Sequence, residues 1–200
     1  MENFWNERYR ESGFAYGAEP NQFFAESIEN LSPGKMLLPC EGEGRNAVYA
    51  ASKGWNCIAF DASLEGRNKA IALAADKKVD FTYEIANADS ITFAPNSFDA
   101  IALIYAHFPS SIRKDVHRKM ADWLRPGGIL ILEAFNPKQS GNSSGGPKDP
   151  TMLYTEEMLH EDFSSLLPLQ INSARITLNE GKYHIGPADV VRFVAIKPAE

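Results

Sequence analysis

Two cysteines in 200 residues leave nothing to build a disulfide framework from. Cys40 and Cys57 both fall in apolar, strand-like stretches, so they read as reduced thiols and the expected setting is cytoplasmic. No apolar run approaches the ~18 residues that cross a bilayer, and no membrane partner is expected. The opening MENFWNERYRESG is mixed in charge and aromatic, unlike a basic-then-apolar leader. Basic charge is scarce as well. Lys and Arg number 20 against 26 Asp and Glu, a net charge of -6, which leaves no basic face for phosphates and argues against nucleic acid. The four histidines show no ligand spacing, so no metal is expected. What remains is 44% hydrophobic and 23% charged, the composition of one globular domain with a sizeable core.

The apolar stretches alternate in kind. Met36 to Cys40, Asn56 to Asp61, Asp80 to Ala86, Phe98 to Ala106 and Ile129 to Phe135 read as strands. The run FDAIALIYA is nearly continuous, as in a strand covered on both faces. Between them, Gly44 to Lys53, Ser63 to Lys78 and Ser110 to Leu124 read as helices, with Ser63 as an N-cap. The Ser110 helix carries Ile112, Val116, Met120 and Trp123 on one face, while His117 and His160 read as surface residues without a role. Strands alternating with helices predict a doubly wound α/β fold around a mostly parallel sheet. From about Leu169 to Pro198 the pattern changes to two strands around a turn, a C-terminal antiparallel hairpin.

One domain, 1–200, is therefore expected. It divides into an N-terminal helical cover (1–34), a core (35–136), a mobile loop (137–154), and a helix and hairpin (155–200). The Gly/Ser-rich QSGNSSGGPKD, Gln139 to Asp149, reads as unpacked and could serve as a lid. Trp5, Tyr9 and Tyr16 form either an aromatic cover over a ligand or packing against the sheet rim.

The stretch LLPCEGEGRNAVYAA joins the first strand to a helix. Gly42 and Gly44 lack a Cβ, which suits a turn and equally suits a ligand lying on bare backbone at a helix N-terminus. Asp61 closes the second strand, about 20 residues on, where a carboxylate can accept both hydroxyls of a ribose. Asp89, in Asn87-Ala88-Asp89-Ser90, follows the third strand and could accept from an adenine amine. Three such signals at successive strand ends converge on one crevice. Gly42 to Ala47 also satisfies G-x-G-x-x-A, so NAD stays open as cofactor, and with it an oxidoreductase. The short chain, its closing hairpin and the lack of a second mononucleotide half lean away from NAD.

These residues resemble class I S-adenosylmethionine-dependent methyltransferases from about Lys35 to Pro198. The resemblance rests on LLPCEGEGRN, the acid of IAFDAS, Ala88-Asp89, FDAIALIYAHFP and LRPGGILILEAFNP. WNERY, YGAEPNQFF, GEGRNAVYAA, GGP at 145–147 and EGKYHIG narrow it to the tellurite-resistance-type group. Thiopurine methyltransferases share the general plan. The resemblance implies a Rossmann-like sheet of seven strands with the last antiparallel, and S-adenosylmethionine as cofactor. It places Gly42, Gly44 and the flanking Glu41, Arg45 and Asn46 at the methionine portion. It places Asp61 and Ala62 at the ribose, Ala88, Asp89 and Ser90 at the adenine, and Tyr105 and Ala106 near the sulfonium. One departure stands out. The family's D-x-G-x-G acid is missing from Leu38-Pro39-Cys40, although Glu41 directly precedes Gly42. That leaves room for a member that binds the cofactor without transferring methyl.

Because a sulfonium is already an activated electrophile, positioning supplies much of the acceleration. A soft anionic acceptor, such as a thiolate or a selenium or tellurium oxyanion, needs no base; a neutral amine or hydroxyl does. His107, after the fourth strand, and His184, in the C-terminal turn, are the candidate catalytic histidines, and Arg192 could neutralise an anionic substrate. The tip IYAHFP lacks the Asp/Asn-Pro-Pro-aromatic signature of nucleic-acid amino-methyltransferases. A small-molecule substrate and a monomer or weak homodimer are expected.

Overall fold

The structure is a computed structural model in which residues 2–199 are described. Helices α1 (Glu2–Arg10) and α2 (Gln22–Ile28) precede an alternation of strands and helices. It runs β1 (Lys35–Pro39), α3 (Arg45–Ser52), β2 (Asn56–Asp61), α4 (Leu64–Lys77), β3 (Thr82–Ile85), β4 (Phe98–Ile104), α5 (Ser110–Trp123) and β5 (Leu124–Phe135). Helix α6 (Glu156–Asp162) and the strands β6 (Leu167–Asn179) and β7 (Ile185–Ile196) follow.

The seven strands lie in the order β3-β2-β1-β4-β5-β7-β6. The first five in sequence are parallel; β7 runs antiparallel to both β5 and β6, which makes the expected hairpin. The order reverses between β1 and β4. In a sheet of this kind the crevice at the carboxyl ends of the strands opens at that reversal.

β4 shows why its sequence is continuously apolar. Ile101 and Leu103 face the core under α5 and α6, while Ala100, Ala102 and Ile104 face the core under α2 and α3. Caps set two helix starts, the first of them as read from sequence. Ser63 accepts from Gly66 N (3.0 Å) and Thr155 from Met158 N (3.2 Å). α3 starts on Gly44, whose φ of +84° is left-handed. A Cβ there would come within 2.5 Å of the Ala70 Cβ on α4. Gly44→Ala therefore combines left-handed strain of ~1–2 kcal/mol with overpacking of ~1–3 kcal/mol. Urea unfolding of the variant is expected to show a loss of roughly 2–5 kcal/mol.

Two expectations change. His117 is fully buried rather than on a helix surface, because α6 brings Asp162 to its Nδ1 (2.8 Å) and Phe163 to its ring face (4.6 Å). Asp162 also takes Arg113 through both carboxylate oxygens (2.7 and 3.3 Å), so α5 and α6 are joined by a buried triad. The Gln139–Asp149 segment packs. Gln139 and Ser144 are buried; Gln139 donates to Ser144 Oγ and Gly145 O (3.0 Å each), and Asn142 donates to Asp189 (2.9 Å). Its polar side chains supply the partners that an apolar loop would take from a core.

Candidate active site

The loop after β1 holds three residues at positive φ, Cys40 at +55°, Gly42 at +58° and Gly44 at +84°. Its main chain is bonded within the protein. Gly42 N donates to Asp61 Oδ2 (3.1 Å), and Gly42 O accepts from the Tyr83 hydroxyl (2.6 Å). A Cβ on Gly42 would meet the Tyr9 hydroxyl at 2.5 Å, so α1 lies against the bare backbone there. Trp5 stacks on Tyr9 with ring centres 5.5 Å apart, making the N-terminal aromatics a cover on this crevice.

Glu41 directly precedes Gly42. Its Oε1 accepts from Asn46 N and Ala47 N, both at 2.8 Å, and so satisfies two of the free donors of α3. Burial nevertheless pushes its carboxyl up to about 7. Asp61, 7% exposed, accepts from Gly42 N and from Ser63 N (2.9 Å), and burial pushes it up to about 6. A carboxylate has roughly four acceptor positions. Asp61 is thus a buried acid with acceptor capacity to spare at the end of β2. Two ribose hydroxyls are the donors that would hold it ionised, and in this respect the residues fit an adenosyl cofactor. Ala62 is half-buried beside it, Ala88 is buried at the end of the next crossover, and Asp89 and Ser90 are exposed, with Lys119 Nζ on Asp89 O (2.6 Å).

Three motif side chains turn away from the crevice. Glu43 accepts from Ala15 N (2.8 Å) and Lys69 Nζ (2.9 Å). Arg45 donates to Tyr16 O and Glu180 Oε2, both at 2.9 Å. Asn46 Oδ1 accepts from Asn21 N (2.9 Å). The side chains of Arg45 and Asn46, expected at the cofactor, instead fasten the N-terminal cover and the C-terminal turn to α3.

At the other end of the crevice Tyr105, at φ +54°, and buried Ala106 follow β4. The Tyr105 ring stacks on Phe135 (4.7 Å between centres), and its hydroxyl donates to Glu133 Oε1 (2.8 Å). Glu133 is fully buried; it also accepts from Asn21 Nδ2 (2.7 Å) and, through Oε2, from Arg192 Nε (2.7 Å).

His184 lies against Tyr105 and Tyr16, with ring centres 4.7 and 4.5 Å away. Its Nδ1 is 3.3 Å from Glu180 Oε2, which orients the ring and leaves Nε2 without a bond among the described residues. Burial holds its pKa below the usual imidazole value.

His107 is not a candidate base. Its Nδ1 is 2.6 Å from Met152 O, and its Nε2 accepts from Phe135 N (3.2 Å). Both nitrogens are spent strapping β4 and β5 to residue 152, and burial pulls the pKa down to about 4. The structure thus brings Tyr105, His184 and Arg192 together through Glu133 and Glu180, and leaves His107 in a structural role.

Glu133 and Glu180 were not singled out from sequence. Glu133 had a signal, as the single charge inside the apolar run ILILEAF. Among the described residues there is no metal-ligating cluster, and no helix is long and apolar enough to cross a membrane.

Residues 38–128 match the family model of the methyltransferase domain, and no curated protein matches in sequence. The fold is shared with solved structures at low identity. The protein described under "Conversion of a Disulfide Bond into a Thioacetal Group during Echinomycin Biosynthesis" superposes with a TM-score of 0.80 at 15% identity, covering 99% of this chain and 92% of that one. TehB from Haemophilus influenzae gives 0.71 at 14% identity, over 98% of this chain and 66% of that one. A SAM-dependent methyltransferase from Methanosarcina mazei gives 0.67 at 17%, over 91% and 100%. Of the two cofactors that G-x-G-x-x-A left open, the match favours the sulfonium: residues 38–128 match a methyltransferase domain, which supports a methyltransferase that takes S-adenosylmethionine as its cofactor.

Proposed function

We infer that the methyl acceptor is a small molecule attacking through a soft anionic atom, with a thiol foremost and selenium or tellurium oxyanions in the same class. The observation that carries this is the poverty of bases at the acceptor end. His107 has both nitrogens bonded. Tyr105 donates a hydrogen bond to Glu133, and its pKa is pushed well above the usual phenol value by burial. Among the described residues at this end only His184 has a nitrogen to spare, and burial makes it a weaker base than a free imidazole. Such a group can relieve a thiol (pKa ≈ 8.5) of its proton but is poorly matched to an alcohol or a protonated amine. Two structural neighbours point the same way. One is described by chemistry at a disulfide sulfur, and the other is TehB, the tellurite-resistance-type protein that the sequence resembles.

The cofactor, when bound, supplies a methyl group on a positively charged sulfur. Asp61 would hold its ribose. Glu41 would lie at the methionine portion, and Tyr105 and Ala106 near the sulfur. Held there, the cofactor would offer its methyl carbon to a lone pair of the acceptor sulfur and would itself take back the electrons of the broken bond, so that the acceptor leaves as a thioether. His184 Nε2 takes the thiol proton and passes it to water, with Glu180 keeping the ring in place.

Labelled cofactor and a panel of alkyl thiol, thiophenol, selenite, tellurite, primary amine and phenol test the proposal. Label should enter the chalcogen acceptors. In His184→Asn, kcat/KM should fall by ~10²–10⁴ for the alkyl thiol, and by much less for thiophenol, which arrives ionised. Label entering only the amine or the phenol would refute the assignment.

A further inference from the structure

A cavity of about 550 Å³ lies beside the acceptor end, between residues 16–23 of the N-terminal cover and residues 176–181 of β6 and its turn. Glu133 and Arg192 form part of its wall. Tyr105 joins it to the crevice, since the Tyr105 main chain follows β4 at the crevice while its hydroxyl reaches Glu133 in the cavity wall.

The polar groups of this wall are unequally used. Glu133 is met by Asn21, Tyr105 and Arg192. Glu180 is met by Arg45, His184 and Asn21. Both acids are matched by donors. Arg192 is different. Only its Nε is bonded, to Glu133 at 2.7 Å, and its guanidinium lies over the Phe23 ring at 4.7 Å. Nη1 and Nη2 bond to no described residue and are not sealed from solvent. The guanidinium is therefore fixed at one edge and on one face, with the other edge presenting a ready fork of donors. Such a fork is shaped for two oxygens in a plane.

We propose that this cavity binds a carboxylate on Nη1 and Nη2 of Arg192, as the polar tail of the methyl acceptor. Together with the thiol reading, on which this assignment to the acceptor rests, the substrate class becomes a small thiol-bearing monocarboxylate. One carboxylate is favoured over two. Arg192 already shares its charge with Glu133, and Glu180 and the exposed Glu19 of the lining repel a second anion.

The probes are 3-(methylthio)propionate and its uncharged amide isostere, neither of which can itself be the thiol acceptor. Each is titrated by calorimetry into the full chain saturated with S-adenosylhomocysteine. The carboxylate should bind at least ~10-fold more tightly than the amide, since hydrogen bonds to a charged group carry that scale of preference. Arg192→Lys, which keeps the charge but loses the fork, should erase most of that preference with S-adenosylhomocysteine affinity unchanged. Gln22→Trp, an exposed change on the cavity lining, should weaken the carboxylate while leaving cofactor affinity intact. Equal binding of carboxylate and amide, or a preference that survives in Arg192→Lys, overturns the proposal. Carboxylate preference without methylation of any thiol would instead overturn the acceptor chemistry and leave the cavity assignment standing.

Discussion

Asp61→Asn is expected to weaken S-adenosylhomocysteine binding by roughly 10- to 150-fold while making the free protein more stable at pH 7. The first effect follows from losing hydrogen bonds to a charged acceptor, worth ~1.5–3 kcal/mol. The second follows from burial. In the folded protein Asp61 titrates at about 6, against an ordinary 3.8. A group whose folded pKa is raised in this way holds its proton more tightly when folded. Its protonated form is tolerated below about pH 4, and stability is lost as pH climbs from there to about 6. At ~1.4 kcal/mol per pH unit, the ionised side chain costs the free protein ~3 kcal/mol at neutral pH. Asparagine removes that cost but surrenders one acceptor, to Gly42 N or Ser63 N, at ~1 kcal/mol. A net gain of ~1–2 kcal/mol should appear in urea unfolding at pH 7 and vanish near pH 4. The wild-type cofactor affinity should fall as pH drops below about 6, because the ribose must then displace a proton from Asp61. Calorimetry in buffers of different ionisation enthalpy would register that proton. An Asp61→Asn protein that binds as tightly as wild type, or affinity flat from pH 5 to 7, would move the ribose elsewhere.

The strands and the crevice were legible because both are written locally. A continuous apolar run marks a strand buried on two faces, and β4 sends alternate residues into two cores. An acid at a strand end marks the crevice, and Asp61 is there. What the sequence hid are partnerships made across the chain. The turn residues Arg45 and Asn46 look like ligand contacts in a linear reading, and Glu43 stands beside them. Their partners lie at Ala15, Tyr16, Asn21 and Glu180, and only the closed sheet brings those to α3. His117 shows the same limit. Its helical position borders the apolar face, and whether it is dry depends on α6, 45 residues away, delivering Asp162. The glycines carried both a ligand reading and a turn reading. Gly44 admits Ala70 and Gly42 admits the Tyr9 hydroxyl, so the close approach that each glycine allows is made by the protein's own side chains.

Glu133→Ala should be among the most damaging single changes to stability, at about 3–5 kcal/mol, because it strands buried donors whose acceptor has gone. Arg192 Nε, the Tyr105 hydroxyl and Asn21 Nδ2 all converge on this one carboxylate. In a domain of this size that loss corresponds to a fall in Tm of roughly 6–20 °C. The damage is expected to spread along the network. Asn21 caps α2 through its Oδ1 to Phe24 N (2.9 Å), and Tyr105 shapes the acceptor end, so the N-terminal cover and the transfer site loosen together. A double replacement separates stability from function. Glu133→Leu with Arg192→Met removes both charges and should recover much of the lost Tm, since an apolar pair of similar volume can substitute for a buried ion pair. It should recover none of the carboxylate preference, because the fork is gone. Methyl transfer in the double variant should fail through KM for the acceptor while cofactor affinity holds, whereas a collapsed site would lose both. If Glu133→Ala melts within ~2 °C of wild type, the carboxylate is not the hub that its three donors make it.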